Sequence, residues 1–269
     1  MAAMISAQNP VASPVLSRLP AGHRLIEGAG TAESVWQHWL RLGAVTTGAL
    51  HECLPGNARL VVVAPHPDDE VIACGGLMAM HRARGGGLAV VAVTDGEASH
   101  GNLPLPQTQA LAATRCAEST AGLQQLGLSD VAVTRLALPD GQVARHMMRL
   151  ARRLQLLLLP TDVVVTTWRR DGHPDHDATG LATSLACAAV GCRLIEAPVW
   201  MWHWASPGDP FVPWHRLQRL PLNAQARLCK QAALAAHASQ LDASQRAEGA
   251  VLGAAMVARA GRPDEYFFS

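Results

Sequence analysis

With 269 residues, 49% of them apolar, the chain is long enough for one large domain or two small ones and can bury a sizeable core. Twenty-two Lys and Arg against 21 Asp and Glu leave a net charge of +1 without a basic run, which argues against a nucleic-acid partner. Nowhere do about 18 apolar residues run together, since even LQLLLLPTDVVVTTW is split by Pro160, Thr161 and Asp162, so no membrane span is expected.

Residues 1–22, rich in Pro and Ser without a period, predict an irregular arm ahead of a single α/β domain over 23–269. Pro10, Pro14 and Pro20 interrupt that arm, and no signal peptide is predicted. TAESVWQHWLRLG then reads as a helix closed by Gly43. Next come an apolar run at 59–64, a helix-like segment at about 75–84, the strand GLAVVAVTDG at 87–96 and a longer helix at about 107–127. VAVTRLAL at 131–138 reads as a strand, 143–159 as a Leu/Arg helix, DVVVTTW at 162–168 as a central strand and Ala-rich 177–189 as its helix. Alternating strands and helices, with short uniformly apolar strands, predict a mostly parallel sheet covered on both faces. VWMWHWA, taken as a strand, would put Trp200, Trp202 and Trp204 on one face. A last helix at about 223–239 carries Lys230 and His237 on one side. The six cysteines (Cys53, Cys74, Cys116, Cys187, Cys192, Cys229) are scattered without a C-x-x-C pair, as expected of free thiols in a reducing cytoplasm.

Such a sheet gathers function at the carboxyl ends of its strands. Four polar clusters fall there: PHPDDE, TDGE, PDG and RRDGHPDH. In the first, Asp68, Asp69 and Glu70 stand side by side, a repulsive arrangement that calls for a cation. His66 and Asp69, three apart where strand turns into helix, can point at one ion. A third ligand is available from His173, Asp175, His176 or Asp177. Two histidines and one carboxylate, with a position left for water, form a catalytic zinc site rather than a structural one. Asp177 and Thr179 are also reasonable caps for the helix that follows.

PHPDDE followed by GG, then TDGE, RCAESTAGLQQLG, LPDG, GHPDH and KQAALAAHASQ resemble, in order from about residue 59 to 240, the successive motifs of the PIG-L/LmbE family. The resemblance implies a Rossmann-like three-layer α/β fold and zinc-dependent de-N-acetylation of a small molecule or glycoconjugate bearing an N-acetylated amino sugar. It implies His66, Asp69 and His176 as zinc ligands and Asp68 as general base. It implies His173 as the oxyanion-stabilising histidine and Asp175 as the carboxylate that keeps that histidine charged and oriented. Arg115, Asp140, Glu97 and His237 are implied on the substrate side. Some members carry a tyrosine two residues before the oxyanion histidine; here that position is Asp171, expected to pair with Arg169 or Arg170 and form a turn, with binding of a sugar hydroxyl or a basic substrate group as the alternative, and the only tyrosine is Tyr266. Glu70 is expected to orient a ligand or begin the helix. Two other readings share parts of the pattern: a mononuclear non-haem iron oxygenase, through its two-histidine, one-carboxylate triad, and a non-catalytic nucleotide-sugar-binding module. The latter lacks a Gly-rich turn opening a helix, because ARGGGLAV leads into a strand.

Overall fold

In the computed structural model, which describes residues 24–48, 54–55, 57–246 and 249–269, the apolar runs become one eight-stranded sheet. The expected arm at 1–22 lies outside the described residues. The strands are β1 (Thr46–Thr47), β2 (Arg59–Ala64), β3 (Gly87–Thr94), β4 (Ala132–Leu138), β5 (Val163–Thr167), β6 (Arg193–Ala197), β7 (Leu217–Pro221) and β8 (Asp264–Phe268). Their order is β1-β7-β8-β6-β5-β2-β3-β4, and among the described strands only β8 runs antiparallel to its neighbours.

Alternation along the central strands divides the core into two layers. Leu60 and Val62 of β2 face one side with Val163 and Val165 of β5, while Val61, Val63 and Val164 face the other. The first side is covered by α2 (Asp69–Ala83), the end of α3 (Leu105–Gln125) and α7 (Ala224–Ala235). The second is covered by α4 (Val143–Leu157) and α5 (Pro174–Val190), the three-layer α/β arrangement expected. Beyond β8, α1 (Glu33–Arg41) buries Trp36 against Trp202, with the indole N–H donating to Trp202 O at 2.8 Å. No described helix is long and apolar enough to cross a membrane, and the five described cysteines are unpaired thiols.

The sheet progresses from β2 to β3 and β4 in one direction and from β5 to β6 in the other, so the adjacent pair β2 and β5 marks a topological switch point. A crevice opens where the carboxyl ends of such strands diverge. The loops leaving β2 and β5 are those that carry the two His-Pro-Asp sequences.

Three elements differ from the sequence reading. The helix expected at 75–84 begins instead at Asp69 and is broken at Cys74 (φ −149, ψ 25). At the break Ile72 O accepts from Lys230 Nζ at 2.9 Å, and the N–H groups of Gly76 and Leu77 donate to Glu265 at 2.7 and 2.8 Å. Lys230 and Glu265, both buried, pair at 2.7 Å, so α7 and β8 satisfy the groups that the break leaves open. The Trp-rich segment is no strand: β6 ends at Ala197, and the short α6 (Met201–Trp204) turns Trp202 toward Trp36 and Tyr266, away from Trp200 and Trp204, which reach the 171–173 loop. Its first turn is fixed by Asp171, whose carboxylate accepts the N–H groups of Val199, Trp200 and Met201. Finally, α7 stops at Ala235, leaving His237 off its face and at the start of α8 (Ala238–Leu241).

Candidate active site

The loop after β2 is built around a strained residue. Asp68 has φ 145, a conformation that costs a non-glycine residue about 1–3 kcal/mol and persists only when its surroundings enforce it. Its N–H donates to Glu70 Oε2 at 3.0 Å, and Glu70 in turn accepts from Ser119 Oγ, so Glu70 orients this turn while α2 begins. The Asp68 carboxylate meets Arg115, whose guanidinium donates to it at 3.1 Å and to Pro67 O and Gly96 O at 3.0 and 2.8 Å. Gly96 has φ +72, and a Cβ there would lie 2.2 Å from Arg115 Nη1, so only glycine lets Arg115 reach the loop.

The loop after β5 uses ordinary capping. His173 is the N-cap of α5, its Nδ1 accepting from Asp175 N at 3.2 Å, and Pro174 occupies the first turn. Gly180 in α5 packs against β5 so closely that a Cβ would sit 2.5 Å from Thr167 O. That approach sets His176 beside the end of β2. Its Nε2 lies 3.2 Å from Asp69 Oδ2, and its Nδ1 hydrogen-bonds Asp171 Oδ2 at 2.8 Å. Asp171 closes the expected turn through its N–H to Trp168 O, but its carboxylate does not pair with Arg169, which pairs with Glu196; it orients His176. Its position five residues before His176 in the same loop was the available signal, and nothing local separated it from a turn aspartate.

Asp69 joins the two loops, with Oδ2 accepting from His66 N at 3.0 Å and lying 3.1 Å from His66 Nδ1. Ligand atoms of His66, Asp69 and His176 fall within 4.8 Å of one another. Burial opposes charge on His176, but Asp69 and Asp171 lift its pKa to about 9. His66 behaves likewise: against burial, Asp140, Asp175 and Asp69 raise it well above its ordinary value. Burial pushes Asp69 up, yet the two imidazoles hold it well below the carboxylate range. This is a buried cluster in which protons take the place of a cation. His66 Nε2 is buried without an aligned hydrogen-bond partner, although Asp140 Oδ1 and Asp175 Oδ2 stand 3.2 and 3.4 Å away. Two nitrogens and one oxygen on a shared centre, with an orphaned imidazole nitrogen, fit zinc or a similar divalent ion. His66 also converges with Asp140 and Asp175, a more oxygen-rich set.

Burial raises Asp68 to about 6, with Arg115 drawing it down and Asp69 pushing it up. The expectation for His173 and Asp175 changes. Burial, with His176 and His66 nearby, lowers His173 to about 3, so it is neutral. The Asp175 carboxylate accepts from Gly141 N and Val143 N at 2.7 and 3.1 Å, and what holds His173 is the backbone N–H of Asp175. Since Nδ1 is the acceptor, the neutral ring carries its proton on Nε2.

A cavity of about 770 Å³ opens over these groups, and His66, Asp68, Asp69, Arg115, Asp140, His173 and His176 all reach its wall. Glu97 and His237 do not line it. Glu97 Oε1 accepts from Asp140 N at 3.0 Å while Ala98 N donates to Asp140 Oδ2 at 2.8 Å, so Glu97 positions Asp140 from behind. His237 is fully buried against Gly122 of α3, with neither ring nitrogen hydrogen-bonded.

The family model described as PIG-L, GlcNAc-PI de-N-acetylase, matches residues 61–187, which include both loops. A 1D-myo-inositol 2-acetamido-2-deoxy-alpha-D-glucopyranoside deacetylase of Mycobacterium sp. (strain JLS) is 32% identical over 200 residues, covering 64% of this chain and 63% of its own length. A probable N-acetyl-alpha-D-glucosaminyl L-malate deacetylase 2 of Bacillus anthracis is 29% identical over 141 residues, covering 51% and 62%. The chain thus spans a little over three fifths of these curated relatives. A conserved protein of Thermus thermophilus superposes with a TM-score of 0.56 at 27% identity, covering 78% of this chain and 93% of that one.

Proposed function

The chain belongs to the PIG-L/LmbE family, and on that premise we propose that it is a zinc-dependent hydrolase that removes the acetyl group from the amide nitrogen of an N-acetylated amino sugar conjugate. The observation that carries this reading is the convergence of His66, Asp69 and His176 on one centre with the strained Asp68 beside it. A ligand triad alone has no use for a second aspartate held at such cost; amide hydrolysis needs a base next to the metal.

In this reading His66, Asp69 and His176 would hold the ion, and Asp171 fixes the His176 ring with Nε2 toward Asp69. A zinc ion held there would supply Lewis acidity for the acetyl carbonyl and for water near neutral pH. Asp68, ionised near neutral pH and steadied by Arg115, takes the proton of the attacking water and returns it to the amine as the C–N bond breaks. His173 donates its Nε2–H toward the oxygen on which negative charge develops. That Arg115 and Asp140 reach the cavity wall supports a role for them toward sugar hydroxyls. A cytoplasmic site of action is supported by the free thiols.

The test is acetate release from a panel of N-acetylglucosamine conjugates by the zinc-loaded protein, with Asp68→Asn beside it. Release from at least one conjugate, and a drop of about 10²–10⁴-fold in Asp68→Asn with zinc content unchanged, is the expected result. Purified protein that carries iron and consumes dioxygen, or an Asp68→Asn variant that keeps its turnover, overturns the proposal.

A further inference from the structure

The cavity has two chemically distinct sides. Its polar side is the catalytic cluster with Arg115 and Asp140, and Glu27, Ser99 and Arg246 also reach the wall. On the other, Ile72, Val199, Leu252 and Met256 contribute to the wall, and all four belong to one packed apolar cluster against which Trp200 also packs. These residues arrive from three separate places: the first turns of α2, the chain after β6, and the segment entering and forming α9 (Ala254–Ala260). Trp200 is the seam between the sides, its ring stacked toward His173 at 6.2 Å with an interplanar angle of 26°.

At about 770 Å³ the cavity lies in the upper part of the range of about 300–1,000 Å³ that encloses drug-sized ligands, more room than one amino sugar fills. The N-acetyl group must lie on the polar side, where the ligand atoms and Asp68 are, and the remainder of the conjugate then extends along the apolar wall. A hydroxyl-rich or carboxylate-bearing group laid against the five apolar side chains themselves loses hydrogen bonds to water that they cannot replace, and would have to reach Glu27, Ser99 or Arg246 instead. An alkyl or aryl group gains by burial.

Resting on the hydrolase reading above, we propose that this wall is a subsite for an apolar aglycone, and that the substrates are N-acetylamino sugars carrying an alkyl or aryl group rather than inositol or malate. The wall acts on specificity, and the sugar-side residues act on the reaction.

The test compares zinc-loaded protein on N-acetylglucosaminides that differ only in the aglycone: methyl, octyl, phenyl, myo-inositol and malate. Octyl or phenyl should exceed methyl in kcat/KM by about tenfold or more, inositol and malate should not, and the octyl and phenyl arms tell a chain from a ring. Leu252→Asn and Met256→Gln should each lower the octyl-to-methyl ratio at least about threefold; a ratio is insensitive to the fraction of protein folded. Equal rates across aglycones, or a preference for malate or inositol, overturn the subsite. So does a rate that climbs with N-acyl length at fixed methyl aglycone, which assigns the wall to the acyl chain. Absence of acetate release from every conjugate defeats the hydrolase reading instead. Calorimetry with octyl and methyl glucosaminide, which lack the acyl group, then judges the subsite alone: tighter octyl binding sustains it, and equal binding overturns it.

Discussion

The two His-Pro-Asp loops have the same letters and opposite physics. The backbone of the loop at 171–177 is locally favoured, through a histidine N-cap, a proline in the first turn and Gly172 at φ 103, and its carboxylates are then used to tie it to distant segments. The loop at 66–70 is imposed from a distance, with Asp68 at φ 145 held by Glu70, Ser119 and Arg115, and with the helix behind it broken and repaired by Lys230 and Glu265. The residue proposed as the base sits in the loop whose geometry is not locally stable. A base must point off the helix axis toward water rather than at the ion, and a relaxed helix start would not aim it there.

The comparison breaks first at the repaired helix. Lys230→Met leaves Glu265 buried without its cation and should destabilise the protein by about 3–5 kcal/mol in denaturant unfolding. An effect below about 1 kcal/mol would show that the break satisfies itself without α7.

The second loop has long-range ties of its own, through Asp171, through Asp175 to Gly141 N and Val143 N, and through Asp177 to Arg24. Asp171→Asn weakens the charged hold on His176 Nδ1 and on three backbone N–H groups, and zinc affinity should fall about 10–100-fold by competition with a chelating indicator. Unchanged affinity would make Asp171 an architectural residue only.

Both loops contribute imidazoles to the candidate metal centre. His176 is lifted to about 9 and His66 is raised well above its ordinary value, so below those values both imidazoles carry protons that an incoming ion must displace. Zinc affinity should therefore increase as pH rises from about 6 to about 8, by roughly tenfold per pH unit for each proton displaced. A flat profile would mean that the metal-free imidazoles are already neutral.

The smallest effect isolates the strain. Asp68→Gly and Asp68→Ala both remove the carboxylate from Arg115, but glycine accepts φ 145 and alanine does not. The glycine variant should be the more stable by about 1–2 kcal/mol in unfolding midpoint. Equal stabilities would show that the turn relaxes once the carboxylate is gone.

Four of the eight strands, β2 to β5, were legible because they are apolar and rich in β-branched residues, whereas β1, β6, β7 and β8, short or carrying charged residues, were not read from the sequence. The run at 59–64 coincides with β2, and 131–138 and 162–168 fall within a residue of β4 and β5. The Ala-rich helix at 177–189 extends back to Pro174, since capping by His173 begins a turn earlier than Asp177 suggested. The Trp segment was misread because alternating indoles mimic a strand, and the helical turn depends on three hydrogen bonds to Asp171, nearly thirty residues earlier. Glu97 and His237 were placed toward substrate by motif order alone. Motif order carries no information on which side of a wall a side chain falls.

By itself the sequence determined the alternation that makes the parallel sheet, the adjacency of polar clusters to strand ends, and the set of histidines and carboxylates available to one ion. These follow from periodicity and from the rule that strand ends point one way in a parallel sheet. Tertiary structure alone decided which of those groups meet, because β2 and β5 are a hundred residues apart in the chain and neighbours only in the sheet. It also decided that Asp171 orients His176, that Lys230 and Glu265 mend a broken helix, and that five apolar residues from three segments face the catalytic cluster across one cavity. Each is a contact between distant parts of the chain, and local propensity carries no record of such contacts.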